Sequence, residues 1–257
     1  MPKRPHPRPR PTVSAFWWVG KKNWGDRLTE PLLRRFSHVN VQWSLPHEAG
    51  IVCVGSILGN LVRPEYRGVI LGSGKLFERG TVPSLARVLV LRGPKSAEGF
   101  CPQGRPYEGP FGDPGLIADE LISAPSLYKS FDLGIVPHWS DKKLALDPRF
   151  TRYPHIVINH EDDPLEVIRK IGACKKIVSS SLHGIILADA FCIPRRFEAS
   201  ANWKNEGGLF KVEDHNAAVG IPPQDFKVGN LYKPDWHRVC DLKNGLYDAF
   251  AEFGKNQ

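Results

Sequence analysis

The chain has 257 residues, a length that suits one large domain or two smaller ones, each able to bury its own hydrophobic core. Five cysteines are scattered singly without a CxxC pair, a pattern that indicates neither a zinc site nor a disulfide framework. The formal charge of +8 at pH 7 favours an anionic substrate, a phosphorylated lipid surface or a nucleic acid as ligand. Part of this excess lies in residues 1–11, where Pro, Arg and Lys predict a disordered basic tail.

Four short apolar stretches in the first half of the chain predict strands that end in small residues. They are VSAFWWVG, AGIVCVGSIL, RGVILGSG and ARVLVLRG. Helical spacing of Leu28, Leu32 and Leu33 follows the first of them. Such strands are typical of an open parallel sheet, whose ligands bind at the carboxyl ends of the strands. Residues 12–122 are therefore predicted to form an N-terminal Rossmann-like domain.

A second series of strand and helix patterns occupies residues 123–230 and predicts a C-terminal Rossmann-like domain. Its strands end at Pro137, Asn159 and Ser179, and the boundary falls where Ser, Ala and Pro cluster near residues 118–130. Residues 231–257 predict a C-terminal helix that packs back on the domains. The sequence thus indicates an α/β protein with two domains.

The segment VSSSLHGIILADAFCIP places His183 where a polar turn gives way to an apolar helix. Backbone N–H groups at a helix start are unpaired and electropositive, so this loop predicts an anion site. The alternative is that the serines cap the helix and His183 forms hydrogen bonds within the core. The position of His183 at a strand end favours a functional role. The neighbouring residues expected to bind the substrate are Ser180, Ser181, Leu182 and Gly184.

Arg92 ends an apolar strand, where a guanidinium is well shaped to hold a carboxylate or phosphate. An ordinary surface ion pair is the alternative. Lys95 and Ser96, at the start of the next helix, offer a second anion contact.

Further candidates stand at other strand ends. Asp26, which follows Asn23 and Gly25, either contacts a sugar hydroxyl or caps the next helix, and capping is the simpler role. Asp113 either caps a helix or lines the cleft. His138 is a second histidine at a strand end, beside a tryptophan suited to stacking on a sugar. Three more candidates at strand ends are Gly55, Ser56 and Gly74. Their small side chains either allow the backbone to approach a ligand closely or simply form turns.

Taken together, these motifs resemble the polysaccharide pyruvyl transferase family. The resemblance covers residues 16–194 and is carried, in the family's order, by NWGD, VGSIL, LGSG, LRGPKS, GDPGLI, GIVPHWSD and VSSSLHGIILADAFCIP. Ser181 stands where many members have arginine, Cys192 replaces a frequent glycine, and Ser56 replaces a glycine of the usual turn. That arginine is expected to hold the donor's anionic groups. Either Lys75, Lys95, Arg195 or another cation takes its place, or this subgroup holds its donor differently.

The resemblance implies two Rossmann-like domains in a GT-B-like arrangement with a cleft between them. It also implies transfer of a pyruvyl group from phosphoenolpyruvate to a sugar of a surface or exopolysaccharide, with ketal formation and release of phosphate. In this hypothesis His183 is the proton donor, Arg92 holds the anions, and Asp26 or Asp113 orients the acceptor. Phosphoenolpyruvate is a substrate, and we expect no cofactor and no metal.

The acceptor would be a glycan or a lipid-linked oligosaccharide, so we expect a cytoplasmic protein with peripheral contact at the inner face of the membrane. Two other function classes stay open. A GT-B glycosyltransferase would bind a nucleotide sugar in the same cleft. A nucleic-acid or anionic-lipid binder would use the basic tail with Trp17, Trp18 and Trp24, but these lie in or beside an apolar strand, and we expect no nucleic-acid partner.

Overall fold

Two five-stranded sheets organise the chain, which a computed structural model describes over residues 9–123, 129–200 and 203–257. The strands of the first sheet are β1 Thr12–Phe16, β2 Asn40–Trp43, β3 Ile51–Val52, β4 Val69–Leu71 and β5 Arg87–Val90. Their spatial order is β2-β1-β3-β4-β5, and every neighbouring pair is parallel. Ile51 and Val52 are fully buried, as expected for a short central strand covered on both faces.

The edge strand β2 was not predicted from the sequence. Its side chains alternate little in polarity and are half-buried or exposed, so the apolar pattern that marks the other strands is missing. Backbone pairing with β1, which aligns Val13 with Val41, holds it in the sheet.

The second sheet contains β6 Leu133–Val136, β7 His155–Val157, β8 Ile177–Ser179, β9 Arg195–Phe197 and β10 Leu231–Tyr232. The order is β10-β9-β8-β6-β7, and only the pair formed by β10 and β9 is antiparallel among the described strands. The strand ends predicted at Pro137, Asn159 and Ser179 therefore lie along one edge of this sheet.

Helices cover the sheets and connect their strands. Their bounds are α1 Thr29–Phe36, α2 Pro94–Ala97, α3 Pro148–Thr151, α4 Pro164–Gly172, α5 Leu182–Ala190, α6 Phe210–Ala218 and α7 Trp236–Lys255. Single turns of 3-10 helix occur at Asp26–Leu28, Pro102–Gly104, Leu144–Leu146 and Trp203–Glu206, and a longer one at Pro114–Leu121. The C-terminal helix α7 packs on α1, on β5 and on the 3-10 helix Pro114–Leu121.

One hydrophobic cluster extends through both halves, with members as distant in sequence as Leu28, Ile186 and Phe250. The 3-10 helix Pro114–Leu121 is central to it because it packs against α5, α7 and α1. The predicted class, α/β with two Rossmann-like domains and a cleft between them, is confirmed. The predicted residue limits of the domains stay predictions, and residues 1–8 of the tail and 124–128 beside the boundary lie outside the described residues.

In the described part of the chain, no helix combines the length and the apolar character needed to cross a bilayer. The longest helix, α7, carries polar and charged side chains along its exposed face.

Candidate active site

A cavity of about 250 Å³ lies where loops from the two sheets meet. The first sheet contributes the loops after β1, β3 and β4, and the second contributes the loop after β6 and the start of α5. Its lining side chains are Trp18, Asn23, Asp26, Ser56, Ile57, Asn60, Leu61, Leu76, His138, Trp139, Ser181, Leu182, His183, Asn205 and Lys211. Seven of these were predicted from the sequence: Asn23, Asp26, Ser56, His138, Ser181, Leu182 and His183.

His183 lies in the first turn of α5, and only 7% of the residue is exposed. Its ring packs against Trp24 with the ring centroids 6.0 Å apart. Its Nε2 is buried and has no hydrogen-bond partner among the described residues. A buried polar atom without a partner is costly in a core but is expected in a site that a ligand completes.

Burial and, to a smaller extent, the positive charges of Lys211 and Arg92 together lower the pKa of His183 to about 3. The imidazole is therefore neutral at physiological pH in the empty cavity. With its pKa lowered in this way the imidazole is a weak base in the empty cavity, and a bound anion, which favours the protonated form, would make it a stronger one.

The opposite shift occurs at Asp26. Burial raises the pKa of its carboxyl group to about 7, while a hydrogen bond from Asn23 and the charge of Lys211 oppose the rise and the nearby Asp113 adds to it. Asn23 Nδ2 donates to Asp26 Oδ2 over 2.8 Å. At neutral pH a large fraction of Asp26 is therefore protonated and able to act as an acid.

Capping, the simpler role expected for Asp26, is wrong. Gly25 occupies the N-cap of the 3-10 helix Asp26–Leu28 and Leu28 that of α1, with no side-chain capping bond at either. The serines before α5 do not cap it either. Ser179 Oγ bonds to the carbonyl groups of Val136 and Ser181, so this residue fixes the loop.

Glycine at position 25 is required by its neighbour His183. A Cβ atom there would lie 2.0 Å from His183 Nδ1, so any side chain would displace the imidazole. Gly55 has a similar relation to Asp26, because a Cβ at 55 would lie 2.7 Å from Asp26 Oδ1, and its φ of +114° also favours glycine. At Gly184 a Cβ atom would lie 2.4 Å from Ser179 Oγ, so a side chain is excluded there as well. The three glycines, all predicted from the sequence, therefore leave the space that the side chains of His183, Asp26 and Ser179 occupy.

One wall of the cavity is aromatic. Trp18 and Trp139 approach each other with ring centroids 6.3 Å apart, and His138 packs beside Trp139 at 5.1 Å. Ser180, another predicted residue, accepts a hydrogen bond from the backbone N–H of His138 and so holds this loop. Aromatic faces of this kind are suited to stacking on a sugar ring.

Arg92 does not line the cavity. Its guanidinium is fully buried, with Nε donating to Asp214 Oδ2 over 2.8 Å, Nη2 to the carbonyl of Lys75 over 2.7 Å and Nη1 to Ser56 Oγ over 2.5 Å. Gly74 packs on it, since a Cβ there would lie 2.3 Å from Arg92 Cζ. The expected anion clamp is therefore a buried ion pair, and Arg92 supports the site by holding Ser56.

Three further expectations are corrected because the side chains have other partners. Lys95 pairs with Glu213 over 2.5 Å, and Ser96 donates its backbone N–H and its hydroxyl to Asp214. Of the two roles expected for Asp113, capping is confirmed, since this fully buried residue caps the 3-10 helix Pro114–Leu121 by accepting from the backbone N–H of Gly115. None of these residues lines the cavity.

The functional residue that sequence reasoning missed is Lys211, at the start of α6. It is the one lysine or arginine among the described side chains that line the cavity. The segment after Arg196 gave no recognisable motif, and a lysine in the first turn of a short helix is an ordinary surface feature. Only the fold reveals that this helix begins at the cavity.

Comparisons with known proteins find relatives of this chain. The sequence model described as "Polysaccharide pyruvyl transferase" matches residues 84–197, which include LRGPKS and the histidine segment. The chain is 30% identical over 225 residues to the succinoglycan biosynthesis protein ExoV of Rhizobium meliloti (strain 1021), covering 81% of this chain and 66% of that protein's length. It is also 26% identical to the uncharacterized protein L143 of Acanthamoeba polyphaga mimivirus, covering 95% of this chain and 84% of the relative.

Two solved structures were also found to be similar. A functionally uncharacterized protein from Klebsiella pneumoniae is 12% identical with a TM-score of 0.43, covering 78% of this chain and 87% of that one. An alpha1,3-fucosyltransferase is 10% identical with a TM-score of 0.29, covering 99% and 84%. At these scores the structures add nothing to the assignment, which rests on the sequence matches. We conclude that the chain belongs to the polysaccharide pyruvyl transferase family.

Proposed function

We propose that the chain transfers a pyruvyl group from phosphoenolpyruvate to a sugar of an exopolysaccharide or its lipid-linked precursor. The observation that carries the proposal is the pair of Asp26 and His183 in one cavity, with pKa values displaced in opposite directions. Two titratable groups separated in this way are suited to act as acid and base at the same pH.

The reaction needs both a proton donor and a proton acceptor. Protonation of the donor's methylene carbon makes the adjacent carbon electrophilic, and a sugar hydroxyl forms a C–O bond there as it loses its proton. The C–O bond to phosphate then breaks, and a second hydroxyl of the same sugar adds to close the ketal. Of the two hydroxyl protons, one replaces the proton taken up by the methyl group and the other leaves with hydrogen phosphate.

We assign the acid to Asp26 and the base to His183, the reverse of the roles expected from the sequence. Asp26 is substantially protonated near pH 7 because it is buried, whereas His183 is neutral for the same reason. The anionic donor will raise the pKa of both groups. For His183 this rise moves the pKa from about 3 towards neutral pH, where an imidazole is a more effective base.

The backbone at the start of α5 supports donor binding. Its first N–H groups are free of helical partners, and Ser181, Leu182 and His183 bring this helix end to the cavity. His183, whose buried Nε2 has no hydrogen-bond partner among the described residues, lines the cavity beside this helix end.

The acceptor fits an open groove of about 750 Å³ that shares Asn60 with the cavity. Its lining includes two aromatic side chains, Phe77 and Trp203, and two glycines without side chains, Gly207 and Gly208. Sugars stack on such faces. The relative named for succinoglycan biosynthesis supports an exopolysaccharide acceptor of this kind, and a lipid-linked acceptor would bring the protein to the cytoplasmic face of the membrane.

The test is ligand-dependent thermal stability. The purified protein, Asp26→Asn and His183→Ala are heated with millimolar phosphoenolpyruvate, and separately with uridine and guanosine diphosphates. We expect stabilisation of the wild type by phosphoenolpyruvate and by neither nucleotide, since binding to the native state raises Tm. Stabilisation by a nucleotide alone would assign the chain to the nucleotide-sugar glycosyltransferases instead.

A further inference from the structure

Helix α6 links the two halves of the molecule through three consecutive residues. Asp214 accepts from Arg92 and Ser96 of the first half. His215 Nε2 lies 2.8 Å from Asp189 Oδ2, and Asn216 Oδ1 accepts from Arg195 Nη2 over 2.6 Å, both on the second half. All three side chains are fully buried, so the helix is held on both sides of the cleft.

Lys211 precedes Asp214 by one turn of the same helix and lines the cavity. The partners of Asp214 therefore fix the place from which Lys211 reaches into the site. Phe210 beside it is buried, which anchors the start of the helix. The lysine is thus delivered to the cavity by a rigid element and not by a loose surface loop.

The three cations proposed from the sequence to bind the donor, Arg195, Lys95 and Lys75, all have partners outside the cavity. Arg195 is fully buried and bonds to Asp189 and Asn216. Lys95 pairs with Glu213. Lys75 Nζ donates to the backbone carbonyls of Glu78 and Glu98 at 3.3 Å. None of the three lines the cavity, whereas Lys211 does.

We propose that Lys211 binds the anionic groups of phosphoenolpyruvate and takes the place of the arginine expected at Ser181. The inference rests on the proposed function for the identity of the donor, but the anion site follows from the cavity itself. Lys211 and Ser181 line the same cavity, so a cation supplied from either position acts on the same ligand. A lysine ammonium is a compact point charge suited to carboxylate and phosphate oxygens.

The electrostatics of the cavity agree with this placement. The charge of Lys211 lowers the pKa of His183, after burial, and also lowers the pKa of Asp26. Both proposed catalytic groups are therefore within reach of its field. An anion bound between them would experience the same attraction.

The experiment measures the Kd of phosphoenolpyruvate and of inorganic phosphate by calorimetry for the wild type, Lys211→Met, Lys211→Arg and Lys211→Met combined with Ser181→Arg. Lys255→Met is the matched control, because Lys255 is exposed at the end of α7 and lines neither the cavity nor the groove. Loss of one charge-assisted contact is expected to weaken phosphoenolpyruvate binding about tenfold or more. Lys211→Arg and the double variant should recover most of this loss, with unchanged Tm in the absence of ligand.

Equal affinity of Lys211→Met and Lys255→Met for phosphoenolpyruvate would overturn the inference. If Lys211→Met instead lost phosphate binding while the wild type bound phosphoenolpyruvate no more tightly than phosphate, the anion site would stand and the proposed donor would be wrong. Recovery at Ser181→Arg is the readout that a purely structural role of Lys211 would not produce.

Discussion

Replacing Asp26 by asparagine is expected to stabilise the protein while removing its activity. Burial raises the pKa of Asp26 from 3.8 to about 7, a shift that corresponds to about 4 kcal/mol of folding free energy. Because the pKa is raised in the native state, this stability is fully present below pH 3.8 and is lost as the pH rises through 7. Asparagine has the same shape, keeps an acceptor for Asn23 and pays no such penalty.

The assay is the free energy of unfolding in urea at pH 5 and pH 8 for the wild type and Asp26→Asn. The difference between them should grow in favour of the variant by about 2 to 3 kcal/mol over this range. Asp132→Asn, which removes an exposed carboxylate paired with Lys175, is the control for a lost surface charge. A difference that does not change with pH would refute the raised pKa and with it the assignment of Asp26 as the acid.

Two further predictions concern residues that support the site. Gly25→Ala should lower kcat more than tenfold and also cost about 1 to 3 kcal/mol of stability, because its Cβ would displace the buried ring of His183. In contrast, Gly245→Ala in α7 should leave kcat unchanged and add up to about 1 kcal/mol of stability. Arg92→Met should cost about 3 to 5 kcal/mol in urea unfolding, since it leaves Asp214 buried and unpaired. Adding Asp214→Leu to that variant should recover stability, and no recovery would contradict the buried pair.

The sequence alone predicted the strands that carry the site, because their apolar runs end in small residues at the sheet edge. It also predicted Asp26 and His183, since both stand at such strand ends. The edge strand β2 was not predicted because its half-exposed side chains lack the apolar pattern. Likewise, β9 and β10 lie in a segment without a recognisable motif.

The roles of the cations were not predictable for a different reason. Arg92 looks like an anion ligand until Asp214, 122 residues later, is seen to pair with it. Lys211 looks like surface until α6 is placed between the two halves. Both roles depend on contacts between residues far apart in the sequence. The assignment of acid and base was also reversed by burial, which no local pattern reveals.

The central claim is tested most directly by following the donor's methylene carbon. Phosphoenolpyruvate labelled at that carbon is incubated with the protein and a pool of acceptor oligosaccharides, and the products are examined by NMR and phosphate release. We expect the vinyl signal to be replaced by the methyl signal of a glycan-bound ketal, with an equal amount of phosphate released and neither change with Asp26→Asn. An unchanged vinyl signal, together with transfer of a sugar from a nucleotide donor to the same pool, would contradict it.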